Sequence, residues 1–463
     1  MGAGASRARP FLMRSPVVPF ANLWQEASGL HAEERIVTLT KPSFVYQGMR
    51  LPFSLLVTCF AAWGIAANMT DPLVQVFSRI FSMTTLQASF VQFAYYGAYF
   101  LLALPAAFIN RRFSYRTGIL TGLGCAILGA FMFYPAAHAM TFGFFLLALF
   151  LLAGGLSILE TSANPFVMDM GPEANATRRL NFAQAFNPVG TNIGVFLAAT
   201  LILPKLNIAS AEDRAAMAPE ALRTVQQAEL QAVMVPYVGF AFVLLAIWIM
   251  IALKRMPTRH EQIEESDTPV HFRATLGRLL ANRHYVFGVT AQFFNVAAQT
   301  CAWTFTIQYV METLQRTEAQ AGWYLQASLL VFLVSRFVMV GLMGVIRPAL
   351  LLLVMALAGT ALCFFAASGP GILGAWAVVA LSACLSLMFP TIYGLALHGL
   401  GTDTKFGAAG LVMAILGGAV MPLVHGGVMD AYGAAISYVV PGLCFLVVAA
   451  YGLFDLKSGD RAG

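Results

Sequence analysis

Two acidic residues stand in stretches of chain that should hold none. Glu160 is the only acid between Arg116 and Asp169, and it lies within the apolar run 141–167. Asp71 is the only charge between Arg50 and Arg79, toward the end of the run 51–76. An ionised side chain near the bilayer centre costs about 2.5–3.5 kcal/mol on insertion scales. Burial disfavours the charged form of a carboxylate. A carboxylate whose neutral form is accessible near neutral pH can take a proton on one side of a barrier and release it on the other. Proton coupling is therefore the chemistry that Asp71 and Glu160 suit. Two carboxylates with amide oxygens nearby could also hold Na+. A plainer reading makes Glu160 a helix-end carboxylate reaching interfacial water, and makes Asp71, followed by Pro72, a helix-terminal Asp.

Amides and aromatics recur around these acids at helical spacing. Glu160 and Asn164 are four apart and share a face with Ser157. Asn181, Gln184, Asn187 and Thr191 recur at three, three and four. Gln292, Asn295, Gln299 and Trp303 recur at three, four and four. Gln92, Tyr95, Tyr96 and Tyr99 add an amide and three hydroxyls, and Trp63, Asn68 and Asp71 follow part of one side of the first run. Amides donate and accept, as sugar hydroxyls do, and an aromatic face covers the apolar side of a pyranose. The candidate sugar-binding residues are Trp63, Asn68, Gln92, Asn164, Gln184, Asn187, Asn295, Gln299 and Trp303. The competing reading is that such side chains join helix to helix, worth about 0.6 kcal/mol each. Trp and Tyr also anchor at membrane interfaces.

The elements that must position these residues follow from composition. Of 463 residues, 59% are hydrophobic and 10% charged, with a mean hydropathy of +0.75. Soluble domains carry about a quarter charged residues, so a soluble fold is excluded. Disordered chains are charged and poor in aromatics, while this one has 37 Phe. The six Cys are scattered through apolar runs, which excludes a disulfide framework and ligand spacing. A membrane helix needs about 20 apolar residues. Runs of that length fall at 51–76, 87–109, 117–136, 141–167, 180–203, 231–253, 284–311, 319–342, 348–368, 371–397, 406–429 and 434–454. The expectation is an all-α integral membrane protein of twelve transmembrane helices. Barrel strands would alternate at about ten residues, and these runs are continuous.

All but five of the 27 Lys and Arg fall on one side of that arrangement, the exceptions being Arg79, Lys205, Arg214, Arg223 and Arg316. Basic loops stay in the cytoplasm, so both termini are expected there and the protein in the inner (plasma) membrane. The net charge of +6 then reflects orientation in the bilayer and no nucleic-acid partner. The charged connection 254–283 splits the chain into six runs before and six after. The expected domains are a polar tail 1–46, a six-helix bundle 47–253, the cytoplasmic linker 254–283, a second six-helix bundle 284–455 and a tail 456–463. Asn164-Pro165-Phe166, then Gly171-Pro172 and Arg178-Arg179, is answered by Phe389-Pro390-Thr391, then Gly401 and Lys405. Duplicated halves with a site between them are a transporter architecture. No Walker loop, His metal pair or Gly-x-Ser-x-Gly elbow competes, and neither an enzyme nor a cofactor is expected.

Leu159-Glu160-Thr161-Ser162-Ala163-Asn164-Pro165-Phe166 with Arg179-Leu180-Asn181-Phe182-Ala183-Gln184-Ala185-Phe186-Asn187 resembles the fucose/glucose/galactose group of proton-coupled sugar symporters in the major facilitator superfamily, its bacterial L-fucose branch in particular. Trp63–Asp71, Val91–Phe100, Ala298–Trp303 and Gly401–Gly407 carry the same resemblance. It implies two six-helix bundles around a central cavity, working as a monomer on a monosaccharide and H+. It implies that Asp71 and Glu160 match the acids needed for proton-coupled transport, and that Gln184 and Asn187 match the family's helix 5 amides. Ala67 and Thr70 depart from the family pattern, where Asn stands at both positions, so the sugar stays open. L-fucose is the expected substrate. Glucose or galactose, a non-transporting sugar sensor and a drug-efflux carrier are the alternatives. Cytoplasmic pieces of only 46 and 30 residues argue against a sensor, and the amide stripes argue against efflux.

Overall fold

In lipid, an isolated segment must close its own backbone hydrogen bonds, and each apolar run does so as a helix. The computed structural model describes residues 43–80, 85–206, 213–214, 216–254, 256, 272–369 and 371–459. Within these, the side chains of 69–80, 85–90, 92, 93, 203 and 459 lie outside the description. The described residues form twelve helical spans. They are α1 (Arg50–Ile80), α2 (Thr85–Arg112), α3 (Tyr115–Ala139), α4 (Phe142–Asp169), α5 (Glu173–Ile202) and α6 (Pro219–Leu253), followed by α7 (Arg283–Leu314), α8 (Glu318–Leu342), α9 (Pro348–Ser368), α10 (Ile372–Leu397), α11 (Gly401–Tyr432) and α12 (Ala434–Ser458). Ten of them are long and apolar enough to cross a membrane. The other two, α2 and α7, have 28 and 32 residues; part of α2 lies outside the described side chains, and α7 carries a polar stripe that dilutes its apolar character.

Two boundaries differ from the sequence reading. α6 begins at Pro219 and runs for 35 residues, about 52 Å at the helical rise, so it outreaches a hydrocarbon core of about 30 Å. Its first turns carry Glu220 and Arg223 and have no apolar signature. The connection 254–283 is not all loop either, since Phe272–Ala281 is a helix. The break between α8 and α9, marked in the sequence by little more than Arg347 and Pro348, is real. Pro348 opens α9, where its missing N–H has no intrahelical role.

Proline also breaks spans internally. It removes one helical hydrogen bond and crowds the carbonyl four residues back. α5 is interrupted at Ala185, ahead of Pro188. α10 is interrupted between Leu385 and Met388, ahead of Pro390. α12 is interrupted at Tyr438, ahead of Pro441. The first two breaks lie in the spans that hold the candidate site.

Buried apolar side chains form two clusters. One belongs to α7–α12 alone. The other gathers α1–α6 and reaches across to Phe389, Tyr393, Ala396 and Leu397 of α10 and to the first turns of α11. Twelve crossings put the start of α1 and the end of α12 on one side, here the terminal face. Contacts between the halves gather there. Arg178 Nε donates to the Val340 carbonyl at 3.1 Å, and Asn181 Nδ2 donates to Thr391 Oγ1 at 3.2 Å. Phe108 packs edge-on to Phe406, with centroids 5.1 Å apart. Large apolar side chains such as Leu101, Leu128, Phe242 and Leu423 stay exposed around the outside, as a lipid-facing surface requires.

Candidate functional site

α4 places Glu160 and Asn164 one turn apart, and its end is fixed by an unusual cap. The last carbonyls of a helix have no intrahelical donor. Arg179, buried at the start of α5, supplies several. Its Nε donates to the Val167 carbonyl at 2.7 Å, its Nη1 to Phe44 at 3.0 Å and its Nη2 to Gly171 at 3.1 Å and to Met168. A Cβ on Gly171 would stand 2.6 Å from Arg179 Nη1, so this turn needs glycine. The Gly-Pro and Arg-Arg punctuation of the sequence is thus a clasp that joins α4 to α5.

Glu160 is 1% exposed, and neither carboxylate oxygen has a hydrogen-bond partner. It lines a narrow crevice with Cys59, Phe60, Trp63, Leu159 and Ala163. Tyr99 of α2 and Tyr393 of α10 lie within its electrostatic range. A buried charge without a donor is costly, so this seat demands either a proton or a partner. Asn164 has one free valence facing the same region. Its Oδ1 accepts from Gln184 Nε2 at 2.9 Å, while its Nδ2 has no partner.

The α1–α5 seam holds the next group. A Cβ on Gly64 would stand 2.1 Å from the Asn187 carbonyl, and one on Gly190 would stand 1.9 Å from the Ala61 carbonyl. These two glycines let the backbones touch, as small residues do between membrane helices. Asn68 Nδ2 then reaches Thr191 Oγ1 at 3.0 Å and the Gly64 carbonyl at 3.1 Å. Trp63 Nε1 donates to the Tyr99 hydroxyl at 2.7 Å. Asn187 is half-buried on the same seam. Asp71 and Gln92 lie in α1 and α2, but their side chains fall outside the described residues.

The α5 stripe therefore does not face one cavity. Asn181 turns to α10, Gln184 to α4 and Thr191 to α1. Helical spacing identified a shared face but not the three neighbours that divide it. In this state Asn68 and Gln184 serve as joints between helices as well as candidate ligands.

In the second half, α7 carries Asn295, buried with both amide atoms unpartnered, and Gln299, half-buried. Trp303 Nε1 donates to Ser382 Oγ at 3.1 Å, and its ring meets Phe332 edge-on at 4.9 Å. Among the described residues, these three make no hydrogen bond to α1–α6. The same region contains a charge that sequence reasoning misplaced. Arg336 is among the basic residues that the sequence assigns to the cytoplasmic side, yet it lies inside α8, 4% exposed. Its guanidinium sits 4.9 Å over the Phe332 ring, with Nε and Nη1 unpartnered. Its depth within the run was the available signal.

A cavity of about 600 Å³ opens elsewhere, at the terminal face, lined by Tyr46, Tyr115, Asp169, Thr177, His398 and Lys405. No candidate residue lines it. It separates the α4–α5 turn from the α10–α11 turn and belongs to the closure between the halves.

Comparison with known proteins agrees with this geometry. Residues 54–416 match the family model described as the Major Facilitator Superfamily. The L-fucose-proton symporter of Haemophilus influenzae is 39% identical over 416 residues, which cover 87% of this chain and 96% of that one. The glucose/galactose transporter of Brucella abortus is 32% identical, over 87% of this chain and 93% of that one. A crystal structure of a major facilitator transporter in the outward conformation superposes with a TM-score of 0.83. It is 36% identical, with 88% of this chain and 99% of that one covered.

Proposed function

Because the chain belongs to the major facilitator superfamily, we propose that it imports L-fucose together with a proton. The observation that carries the coupling is Glu160, a buried acid with both oxygens unpartnered beside amides and aromatics. The L-fucose-proton symporter relative supports the substrate. The terminal face, where most Lys and Arg lie, is cytoplasmic. The contacts between the halves on that face are in keeping with the outward conformation of the superposed transporter.

In this state Glu160 and Asp71 take a proton from the periplasmic side. Sugar enters between the halves and meets Trp63, Asn68, Gln92, Asn164, Gln184 and Asn187 on one side and Asn295, Gln299 and Trp303 on the other. The halves rock, the terminal-face contacts part, and proton and sugar leave to the cytoplasm. A membrane potential of about 100 mV contributes about 2.3 kcal/mol per charge moved.

Glucose/galactose transport is the second reading, favoured by the Brucella relative, while Ala67 and Thr70 leave the sugar open. A competition panel separates the two. Labelled L-fucose uptake is challenged with arabinose, galactose and glucose. Uptake of fucose that glucose does not inhibit is expected. Strong glucose uptake without fucose uptake would reverse the assignment.

A further inference from the structure

Among the second-half residues that join the first cluster, one carries a polar group deep into it. Tyr393, on the segment Met388–Leu397 of α10, is fully buried within the cluster formed mainly by α1–α6. Its neighbours explain how it gets there. Thr391, two residues earlier, accepts from Asn181 of α5 at 3.2 Å. Gly394, the next residue, lets the α10 backbone press on Thr177, since a Cβ there would stand 2.6 Å from Thr177 Oγ1. The Pro390 break aims this segment separately from the rest of α10. Phe389 packs flat against the Tyr393 ring at 6.2 Å.

The Tyr393 hydroxyl has no hydrogen-bond partner, although it lies near the Asn164 amide and within electrostatic range of Glu160. Three groups thus converge from two halves without a well-formed hydrogen bond among them: the Glu160 carboxylate, a phenol that can donate or accept, and the Asn164 Nδ2 donor that lies near both. Buried polar groups normally have partners, so three together mark a place where a bond forms in another state. The other titratable neighbours are Tyr99 of α2, beside Glu160, and Tyr285 of α7, beside Tyr393. Arg178 and Arg179 of α5 are turned to backbone carbonyls, and Lys405 of α11 lies over the Tyr115 ring.

We propose that Tyr393 is the positioning residue through which the second half responds to the charge on Glu160; this rests on the symport function proposed above. With Glu160 ionised, the phenol donates toward the carboxylate, directly or through Asn164, and α10 is held against α4. With Glu160 protonated, the acceptor loses its charge, and hydrogen bonds to ions are about twice as strong as neutral ones. The empty carrier therefore rests with its terminal face closed, and the protonated, loaded carrier is free to open it.

The test compares wild type, Tyr393→Phe, Glu160→Gln and the double variant in liposomes, each with Thr177→Cys as a reporter at the terminal face. Alkylation of that cysteine, measured against an exposed reference thiol, reports opening. Tyr393→Phe should raise labelling of the empty carrier about tenfold, the worth of one hydrogen bond to an ion. It should reduce uphill accumulation more than it reduces fucose exchange. In the Glu160→Gln background it should add nothing. Acidification alone should raise labelling in the Tyr393-containing carrier, an arm that stands even if Tyr393→Phe fails to fold. Unchanged labelling in Tyr393→Phe, or a further rise of the same size when it is added to Glu160→Gln, would overturn the proposal. A wild type that moves no fucose would instead defeat the symport reading, while the labelling comparison would still decide the role of Tyr393.

Discussion

Glu160 has the central role because it is a buried acid with both oxygens unpartnered, whereas the amide and indole beside it are engaged. Asn164 is held by Gln184, and Trp63 by Tyr99. Gln184→Leu should remove the bond to Asn164 and leave a second amide atom unsatisfied, at about 1–3 kcal/mol. A lower thermal midpoint in detergent and weaker fucose binding are expected, and wild-type values for both would place Gln184 outside the site. Trp63→Phe keeps an aromatic face and loses the indole donor. With about 1 kcal/mol at stake, the KM for fucose should rise severalfold while coupling persists, as measured by initial uptake rates. The acid was legible in the sequence because a single charge in an apolar run is conspicuous. The amides were legible only as a stripe: spacing reports a face, and the partners across it, Thr391, Asn164 and Asn68, come from three different helices. Arg336 was overlooked because a charge near a helix boundary reads as orientation until its depth is known.

At the scale of elements, the clasp and the proline breaks determine where these groups point. Arg179→Met should leave the carbonyls of Val167, Met168 and Gly171 without their donor. The expected destabilisation is about 3 kcal/mol, read as a lower thermal midpoint with Asn164 and Glu160 displaced; an unchanged midpoint would refute the cap. Pro390→Ala restores an amide donor to α10 and lets it straighten. Fucose exchange should slow while sugar binding in the outward state is kept, and wild-type exchange would show that the break has no role. Proline alone does not announce such breaks, since Pro105, Pro135, Pro165 and Pro236 lie inside continuous helices while the helices break ahead of Pro188, Pro390 and Pro441. The extension of α6 to Pro219 was not readable, because a helix that leaves the bilayer loses the apolar run that announced it. The helix Phe272–Ala281 escaped for the same reason.

For the whole molecule, twelve spans follow from hydropathy alone, whereas the closure of one face depends on contacts between distant segments. Asn181 and Thr391 are 210 positions apart and touch at 3.2 Å. Replacing both with Cys and bridging the pair with a short bis-methanethiosulfonate should stop transport, with recovery on reduction; transport that survives cross-linking would mean the terminal face need not open. The account as a whole depends on whether one buried acid couples proton to sugar. The direct measurement uses Glu160→Gln in proteoliposomes, scored for fucose exchange and for accumulation under an imposed proton gradient. Exchange should persist, because the neutral side chain mimics the protonated acid, while accumulation should fall to the equilibrium level. Accumulation at the wild-type level in Glu160→Gln would contradict the account.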